Sequence, residues 1–352
     1  MAQFHTLTIQ SVKEVTEQAV AITFNIPENL KDTFSFKAGQ YITLKTTING
    51  DEVRRDYSIC SSKNSGDLTV AIKAVENGTF SVYANKELKA GATIEVAEPN
   101  GRFVFEANNA KTRTIAAFAA GSGITPILSI AKTLLEDEPF SNFILVYGNK
   151  TITDAMFVSD LLHLKNTYGN RFHAHFIYSQ SQEADALFGR IEKSTVNLIV
   201  KNKYRGVSIE QFYLCGPEQM IHTVKDVLVE NGVKEKAISF ELFTTPVEDN
   251  TNTTTNLPSG NSIIKVVVDE EEFEFTMSQE QTILDAALKQ GIDAPYSCQG
   301  GICSSCIAKV TEGEATMRQN NILTDGEVAE GLILTCQAHP TSTSLVVDYD
   351  DV

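Results

Sequence analysis

Four cysteines close to the C-terminus constrain this chain more than any other feature. Cys298, Cys303 and Cys306 stand in PYSCQGGICSSC, and Cys336 follows in LILTCQAHP. The spacing is C-x4-C-x2-C and then one distant cysteine, a pattern by which four thiolates hold a [2Fe–2S] cluster. Three ligands on one tight loop wrap a compact cluster from one side, and the fourth closes the cage from another segment. Between them lie Gly300, Gly301, Ser304 and Ser305, small enough for backbone N–H groups to approach the sulfurs. A structural zinc site normally shows two C-x-x-C pairs. A Rieske centre needs two histidines, and the Cys298 loop has none. Cys298, Cys303, Cys306 and Cys336 are therefore read as metal ligands.

A chain of 352 residues is too long for one cluster-binding module and predicts two or three domains. With 42% hydrophobic and 21% charged residues the composition is that of an ordinary soluble globular protein. The start, MAQFHTLTIQ, has no apolar h-region, so no signal peptide is expected. No apolar run reaches the length of a membrane span. Cys60 and Cys215 remain after the cluster ligands, which indicates no disulfide framework and makes a reducing cytoplasm the expected compartment. The net charge of −16 is uneven: residues 263–352 carry four basic and sixteen acidic side chains, a net of −12. Nucleic acid is not expected as a partner for such a surface. The acidity serves either solubility or the docking of a protein that accepts electrons.

The stretch from Val247 to Asn261, rich in Thr and Asn with Pro258 and Gly260, predicts a linker. Before it, two textures appear. Up to residue 106 the chain reads as short strands, HTLTIQSV, AVAITFNI, QYITLKTTI, DYSIC, LTVAIKAV and TIEVAE, with turn signals at Asn49-Gly50, Ser65-Gly66 and Asn100-Gly101. That pattern predicts an antiparallel β-barrel. From residue 107 to 246, strands (TRTIAAFA, NFILVYG, RFHAHFIYS, EQFYLCG, AISFELF) alternate with helices such as ITPILSIAKTLLED and PEQMIHTVKDVLVENG. Alternation predicts an α/β domain with a mostly parallel sheet and helices on both faces. The expected division is 1–106, 107–246, a linker at 247–261, and a cluster domain at 262–352.

Several short constellations stand where these textures turn. Arg54-Arg55-Asp56-Tyr57-Ser58 ends a barrel strand; alone, an Arg pair beside a Tyr is unremarkable. Gly78-Thr79-Phe80-Ser81 precedes a short helical stretch, where free N–H groups can face an anion. By itself it is a turn and a helix cap. Ala120-Gly121-Ser122-Gly123-Ile124-Thr125-Pro126 is a Gly-rich turn between strand and helix, suited to a dinucleotide pyrophosphate. Its Thr-Pro replaces the final glycine of the usual fingerprint, which alone counts against a nucleotide. Cys215-Gly216-Pro217-Glu218-Gln219-Met220 stands at another strand-to-helix turn, where a lone Cys is most simply a small buried hydrophobe. Glu241-Leu242-Phe243 ends the last strand, and a strand-end aromatic is ordinarily core. His173 and His175 alternate on a strand without a third ligand nearby, His163, His222 and His339 have no catalytic company, and Cys60 reads as core.

Taken together these motifs resemble the ferredoxin–NADP reductase family. Arg55-x-Tyr57-Ser58 matches its R-x-Y-S element, Gly121-x-Gly123-x-x-Pro126 its G-x-G-x-x-P form, and Cys215-Gly216-Pro217-x-x-Met220 its C-G-P-x-x-M. Gly101 and Phe103 match a weaker element. The resemblance implies that Arg55 pairs with the FAD pyrophosphate, that Tyr57 packs on the isoalloxazine and that Ser58 hydrogen-bonds near flavin N5. It places Gly78 and Ser81 at the FAD pyrophosphate. It places Gly121, Gly123, Thr125 and Pro126, with Gly216 and Pro217, around the nicotinamide coenzyme. Cys215 is implied beside the nicotinamide, Phe243 over the flavin, and Glu241 as a residue that orders the site. The third strand of the α/β domain ends in Tyr178-Ser179-Gln180-Ser181, with Gly189-Arg190 behind it and no acid directly at the strand end. This favours NADPH, with Ser179 and Arg190 as candidates for its 2′-phosphate, and leaves NADH open.

The order of modules, with a plant-type β-grasp ferredoxin domain of α+β class last, resembles the reductase components of multicomponent oxygenases over essentially the whole chain. The resemblance implies electron flow from NAD(P)H through FAD and the [2Fe–2S] cluster to a di-iron oxygenase, with no organic-substrate pocket here. The alternatives are a reductase serving a different oxygenase, of ketosteroid-hydroxylase type, a stand-alone flavin reductase and a non-enzymatic electron carrier.

Overall fold

The computed structural model describes residues 3–243 and 260–352. Residues 247–259 of the expected linker lie outside the described residues, and Asn261 is already the first residue of a strand. The chain forms two compact units, one of them Phe4–Phe243 and the other C-terminal.

The first unit opens with strands β1 (Phe4–Thr16), β2 (Ala19–Asn25), β3 (Tyr41–Ile48), β4 (Asp51–Ser58), β5 (Leu68–Lys73) and β6 (Thr93–Ala97), with helix α1 (Thr79–Lys86) between the last two. They pair antiparallel in the order β4-β3-β6-β1-β2-β5. A bridge between Ile59 and Val70 joins the two edges into a barrel. Strand β4 begins five residues earlier than the expected DYSIC, because Asn49 and Gly50 both take positive φ (56° and 95°) and make a two-residue hairpin turn. Alternate residues point inward: Leu7, Ile9, Ile22, Ile42, Leu44, Val70, Ile72 and Val96 are buried.

The second half of this unit holds β7 (Thr114–Ala120), α2 (Ile124–Asp137), β8 (Asn142–Asn149), α3 (Val158–Tyr168), β9 (Phe172–Tyr178), β10 (Leu187–Phe188), α4 (Lys193–Asn197), β11 (Ile209–Gly216), α5 (Glu218–Glu230) and β12 (Ile238–Leu242). The sheet is parallel, in the order β10-β9-β8-β7-β11-β12. Five successive residues of β7, Ile115 to Ala119, are buried, as a strand covered on both faces requires. From β7 the chain steps through β8 to β10 on one side, then returns to β11 and β12 on the other. The sheet order therefore reverses between β7 and β11. Loops leaving those two strands go to opposite faces, and ligands of open α/β sheets bind at such a point.

The C-terminal unit contains β13 (Asn261–Val268), β14 (Glu271–Ser278), α6 (Ile283–Lys289), β15 (Ile307–Glu312), β16 (Ala315–Met317), α7 (Asp325–Ala329), β17 (Leu332–Leu334), β18 (Ala338–Pro340) and β19 (Ser344–Asp348). Its sheet runs β14-β13-β19-β15-β17, with β13 and β19 parallel and the other pairs antiparallel, the β-grasp arrangement. Thr282 caps α6 by accepting from the Asp285 N–H at 3.2 Å, and Ile283, Leu284, Ala286 and Ala287 bury its inner face. The chain leaving α6 forms the cysteine loop before β15. Among the described residues no helix is long and apolar enough to cross a membrane.

Candidate redox sites

Alternation along β4 sorts its motif onto two faces. Arg54 pairs with Lys45 on the face away from Ile42 and Leu44, yet it is only 7% exposed, because it bonds Glu52 at 2.8 Å and lies over the Phe4 ring. Arg55 faces the other way and is exposed, with Nη1 donating to the Arg54 carbonyl at 2.6 Å. Tyr57 shares the Arg55 face, as the period of two demands. Its ring lies 5.6 Å from that of Phe80 on α1, and burial pushes its phenol well above the usual range. Ser58 points to the opposite face, is buried, and donates to Glu241 Oε2 at 3.2 Å.

Gly78 precedes α1, and a Cβ there would lie 2.4 Å from Ser81 Oγ. The Ser81 hydroxyl accepts the Val75 N–H at 3.1 Å, so its first task is to shape the loop entering α1. The N–H groups of the first turn of α1 have no intrahelical acceptor, as at any helix start. Arg55, Tyr57 and this helix start supply a cation, an aromatic surface and amide donors, a set that fits a flavin dinucleotide. Phe103 plays a different part: its ring meets Tyr213 edge-on at 5.3 Å, inside the core shared by barrel and α/β sheet.

The turns after β7 and β11 meet at the reversal of sheet order. A Cβ on Gly123 would lie 2.2 Å from the Cys215 carbonyl oxygen, so only glycine lets these two strand ends pack together. Thr125 is buried and its Oγ1 donates to the Ser122 carbonyl at 3.0 Å, closing the turn; Pro126 is buried in the first turn of α2. The Tyr147 hydroxyl donates to the Gly121 carbonyl at 3.0 Å and accepts the Met156 N–H at 3.1 Å. Gly216 approaches Ala120, and Pro217 stands immediately before α5. The turn is thus tied down, with Gly123 buried against Cys215 and Gly121 half-buried with no side chain, so that backbone can approach a dinucleotide at Gly121.

Cys215 is fully buried, and burial together with the nearby Glu241 raises its thiol well above the ordinary value. It pairs with Glu241 across the parallel strands, and the Phe243 N–H donates to the Gly216 carbonyl at 3.1 Å. Burial lifts the Glu241 carboxyl to about 8, against the opposing pull of the Ser58 hydrogen bond. Ser58, Cys215, Glu241 and Phe243 are thereby brought to one place from three distant segments.

Ser179 and Arg190 stand just beyond the paired ends of β9 and β10. The Gly189 N–H donates to the Tyr178 carbonyl at 2.8 Å, and the Arg190 side chain is exposed. Two further polar groups stand at strand ends of the same sheet. The Asn149 amide and the Ser181 hydroxyl, at the ends of β8 and beyond β9, are enclosed without a hydrogen-bond partner of good geometry among the described residues. In the sequence, Asn149 closes the Tyr147-Gly148-Asn149 triplet and Ser181 the run that begins at Tyr178.

In the C-terminal unit the four cysteines surround one loop. Cys306 and Cys336 are buried and hydrogen-bonded to each other, and Cys298 is near enough to influence both. The Gly300 N–H points at Cys298 Sγ at 3.4 Å, and the Gly301 N–H at Cys336 Sγ. Thr335 fastens the two ligand segments, its N–H and hydroxyl both donating to the Cys306 carbonyl at 3.1 and 3.0 Å. Among the described residues no three His, Cys, Asp or Glu groups gather at the range of a single ion. Thiols alone, with amides aimed at sulfur, are a donor set that fits an iron–sulfur cluster.

Comparison with known proteins agrees with each module. Residues 6–105 match the oxidoreductase FAD-binding domain, 118–226 the oxidoreductase NAD-binding domain, and 266–341 the 2Fe-2S iron-sulfur cluster binding domain. A component of the 1,2-phenylacetyl-CoA epoxidase of Escherichia coli is 38% identical over 99% of both chains. The ferredoxin reductase component of 3-ketosteroid-9-alpha-monooxygenase from Rhodococcus rhodochrous is 30% identical over 97% of this chain and 96% of its own. Phthalate dioxygenase reductase, a solved structure, is similar in fold with a TM-score of 0.62, 24% identity and 98% coverage of each chain. The chain therefore belongs to the ferredoxin–NADP reductase family, in the branch of oxygenase reductase components that carry a C-terminal [2Fe–2S] domain.

Proposed function

We propose that this chain draws electrons from NADPH and delivers them singly to a di-iron oxygenase, the epoxidase that acts on phenylacetyl-CoA. The partner follows from the 38% identity to the epoxidase component over 99% of both chains. The observation that carries the chemistry is the junction of Ser58 and Glu241, which brings the end of the flavin motif to the strand beside Cys215.

Bound in these cradles, nicotinamide would supply two electrons together, and FAD would take the pair and release single electrons to the [2Fe–2S] cluster. Arg55 offers a guanidinium to the flavin pyrophosphate, a bidentate match to phosphate oxygens. Gly78 and the start of α1 add amide donors, with Ser81 holding their loop. Tyr57 supplies an aromatic face. Gly121, Gly123, Thr125 and Pro126 hold the coenzyme pyrophosphate close to backbone, and Gly216 and Pro217 line the nicotinamide side. Ser179 and Arg190 recognise the 2′-phosphate. Phe243 shields the ring until coenzyme arrives. Glu241, raised to about 8, keeps a neutral carboxyl near neutral pH and so adds no negative charge where electrons arrive. Cys215 stays a protonated thiol and serves as an uncharged wall. Cys298, Cys303, Cys306 and Cys336 hold the iron, and a reducing cytoplasm suits all six free thiols.

The test is reconstitution. The purified chain, loaded with its cofactors, should couple NADPH oxidation to epoxidation of phenylacetyl-CoA by the matching oxygenase component. Coupling to a ketosteroid oxygenase instead, with none to the epoxidase, would reassign the partner and leave the reductase chemistry standing.

A further inference from the structure

Gln337 follows the fourth cysteine and makes two side-chain contacts that reach the cysteine loop. Its Nε2 donates to the Gln299 carbonyl at 2.9 Å and lies 3.8 Å from Cys336 Sγ, within range of an N–H···S bond. An amide nitrogen has two hydrogens, one for each acceptor. The stem is held as well: a Cβ on Gly301 would lie 3.0 Å from Gln337 Cγ, so the side chain packs directly over the loop. Its backbone is fixed on both sides, the Gln337 N–H donating to the Leu334 carbonyl at 2.8 Å and the Gln337 carbonyl accepting from Arg318 at 2.9 Å. Gln299 has φ of 53°, a left-handed conformation that residues with side chains rarely adopt. The clasp on its carbonyl holds that turn between Cys298 and Gly300.

We propose that Gln337 is a positioning residue for the iron–sulfur cluster, clasping the ligand loop and aiming an N–H at the Cys336 thiolate to raise the reduction potential. Hydrogen bonds to ligand sulfur draw charge off the thiolate and stabilise the reduced, more negative cluster. The backbone donors of Gly300 and Gly301 act in the same sense but cannot be removed by substitution; the Gln337 amide can. A higher cluster potential makes electron transfer from reduced flavin more favourable, so this side chain helps set the direction of flow within the chain.

The inference rests on Cys336 being the fourth ligand. Cys336→Ala retaining an intact cluster would remove that premise, whereas the Gln337 variants test the amide itself. Gln337→Met keeps a stem of similar length over Gly301 and has no N–H. Gln337→Glu keeps the shape and replaces the donor with a carboxylate. In the full-length, cofactor-loaded protein, iron and sulfide content are measured alongside the cluster potential by spectroelectrochemical titration. Both variants are expected to hold a full complement of iron. The potential should be more negative in Gln337→Met than in wild type, and more negative still in Gln337→Glu. An unchanged potential in an iron-replete Gln337→Met protein overturns the inference. So does loss of the cluster from both variants, which would confine the amide to assembly.

Discussion

The Ser58 hydroxyl donates to Glu241 Oε2 at 3.2 Å, joining the end of a barrel strand to the last strand of the nicotinamide sheet 183 residues away. Ser58 is buried and Glu241 half-buried, and burial raises the carboxyl to about 8. Ionisation above that value places a negative charge beside the site that must accept electrons. The rate of flavin reduction by NADPH should therefore fall as pH rises through about 8. Glu241→Gln cannot ionise and should flatten the profile. Stopped-flow reduction across pH 6 to about 9.5 reads this directly; an unchanged inflection in the variant would place the titrating group elsewhere.

Arg55 is exposed on the Tyr57 face of its strand, with guanidinium donors available to a phosphate. Arg55→Ala removes a charge-assisted contact of about 1.5–3 kcal/mol. FAD should dissociate roughly ten- to a hundred-fold more readily. Fluorescence of released flavin on dilution measures the loss, and wild-type retention of FAD would sink the placement.

Arg190 is exposed and follows Gly189, whose N–H donates to the Tyr178 carbonyl at 2.8 Å. Arg190→Ala should raise the apparent KM for NADPH by on the order of tenfold, the scale of one charge-assisted phosphate contact, and leave NADH kinetics nearly unchanged. Equal effects on both coenzymes, or a wild-type preference for NADH, would refute a role in reading the 2′-phosphate.

Much of this arrangement is legible in the sequence because it is written locally. The cysteine spacing is a local record of cluster geometry, and six barrel strands announce themselves by alternation between Gly turns. Helix α2 coincides with the apolar period of ITPILSIAKTLLED. Helix α3 carries no such mark: of VSDLLHLKNTY only Leu161 and Leu164 are buried, too few to define a face. Strand β10 is two exposed residues long, and the π-helical turn Leu198–Lys203 after α4 has no hydrophobic period to reveal it. The contacts that assemble the site are also hidden. Neither the packing of Gly123 on the Cys215 carbonyl nor the approach of Ser58 to Glu241 follows from neighbouring residues. Both depend on how two sheets meet.

The acidic excess of residues 263–352, a net of −12, bears on partner encounter. Attraction between exposed charges is screened over a Debye length of roughly 8 Å at physiological salt. Electron transfer to the oxygenase should slow as ionic strength rises, chiefly through the association rate. Stopped-flow cluster oxidation across a salt series measures it, with flavin reduction by NADPH as internal control. A salt-independent bimolecular rate would mean that the acidity serves solubility.

Electrons should reach the cluster by a relay, from a flavin that the nicotinamide reduces. An anaerobic titration with NADPH, followed by visible absorbance and low-temperature EPR on wild type and Cys303→Ala, tests it most directly. Wild type should bleach its flavin and then develop the signal of a reduced [2Fe–2S] cluster. Cys303→Ala should bleach its flavin in the same way and develop no such signal, because the flavin and its coenzyme site belong to the other compact unit of the chain. A wild-type cluster that stays oxidised while the flavin is fully reduced would rule out this relay, and a variant that retains the full cluster signal would remove Cys303 from the ligand set.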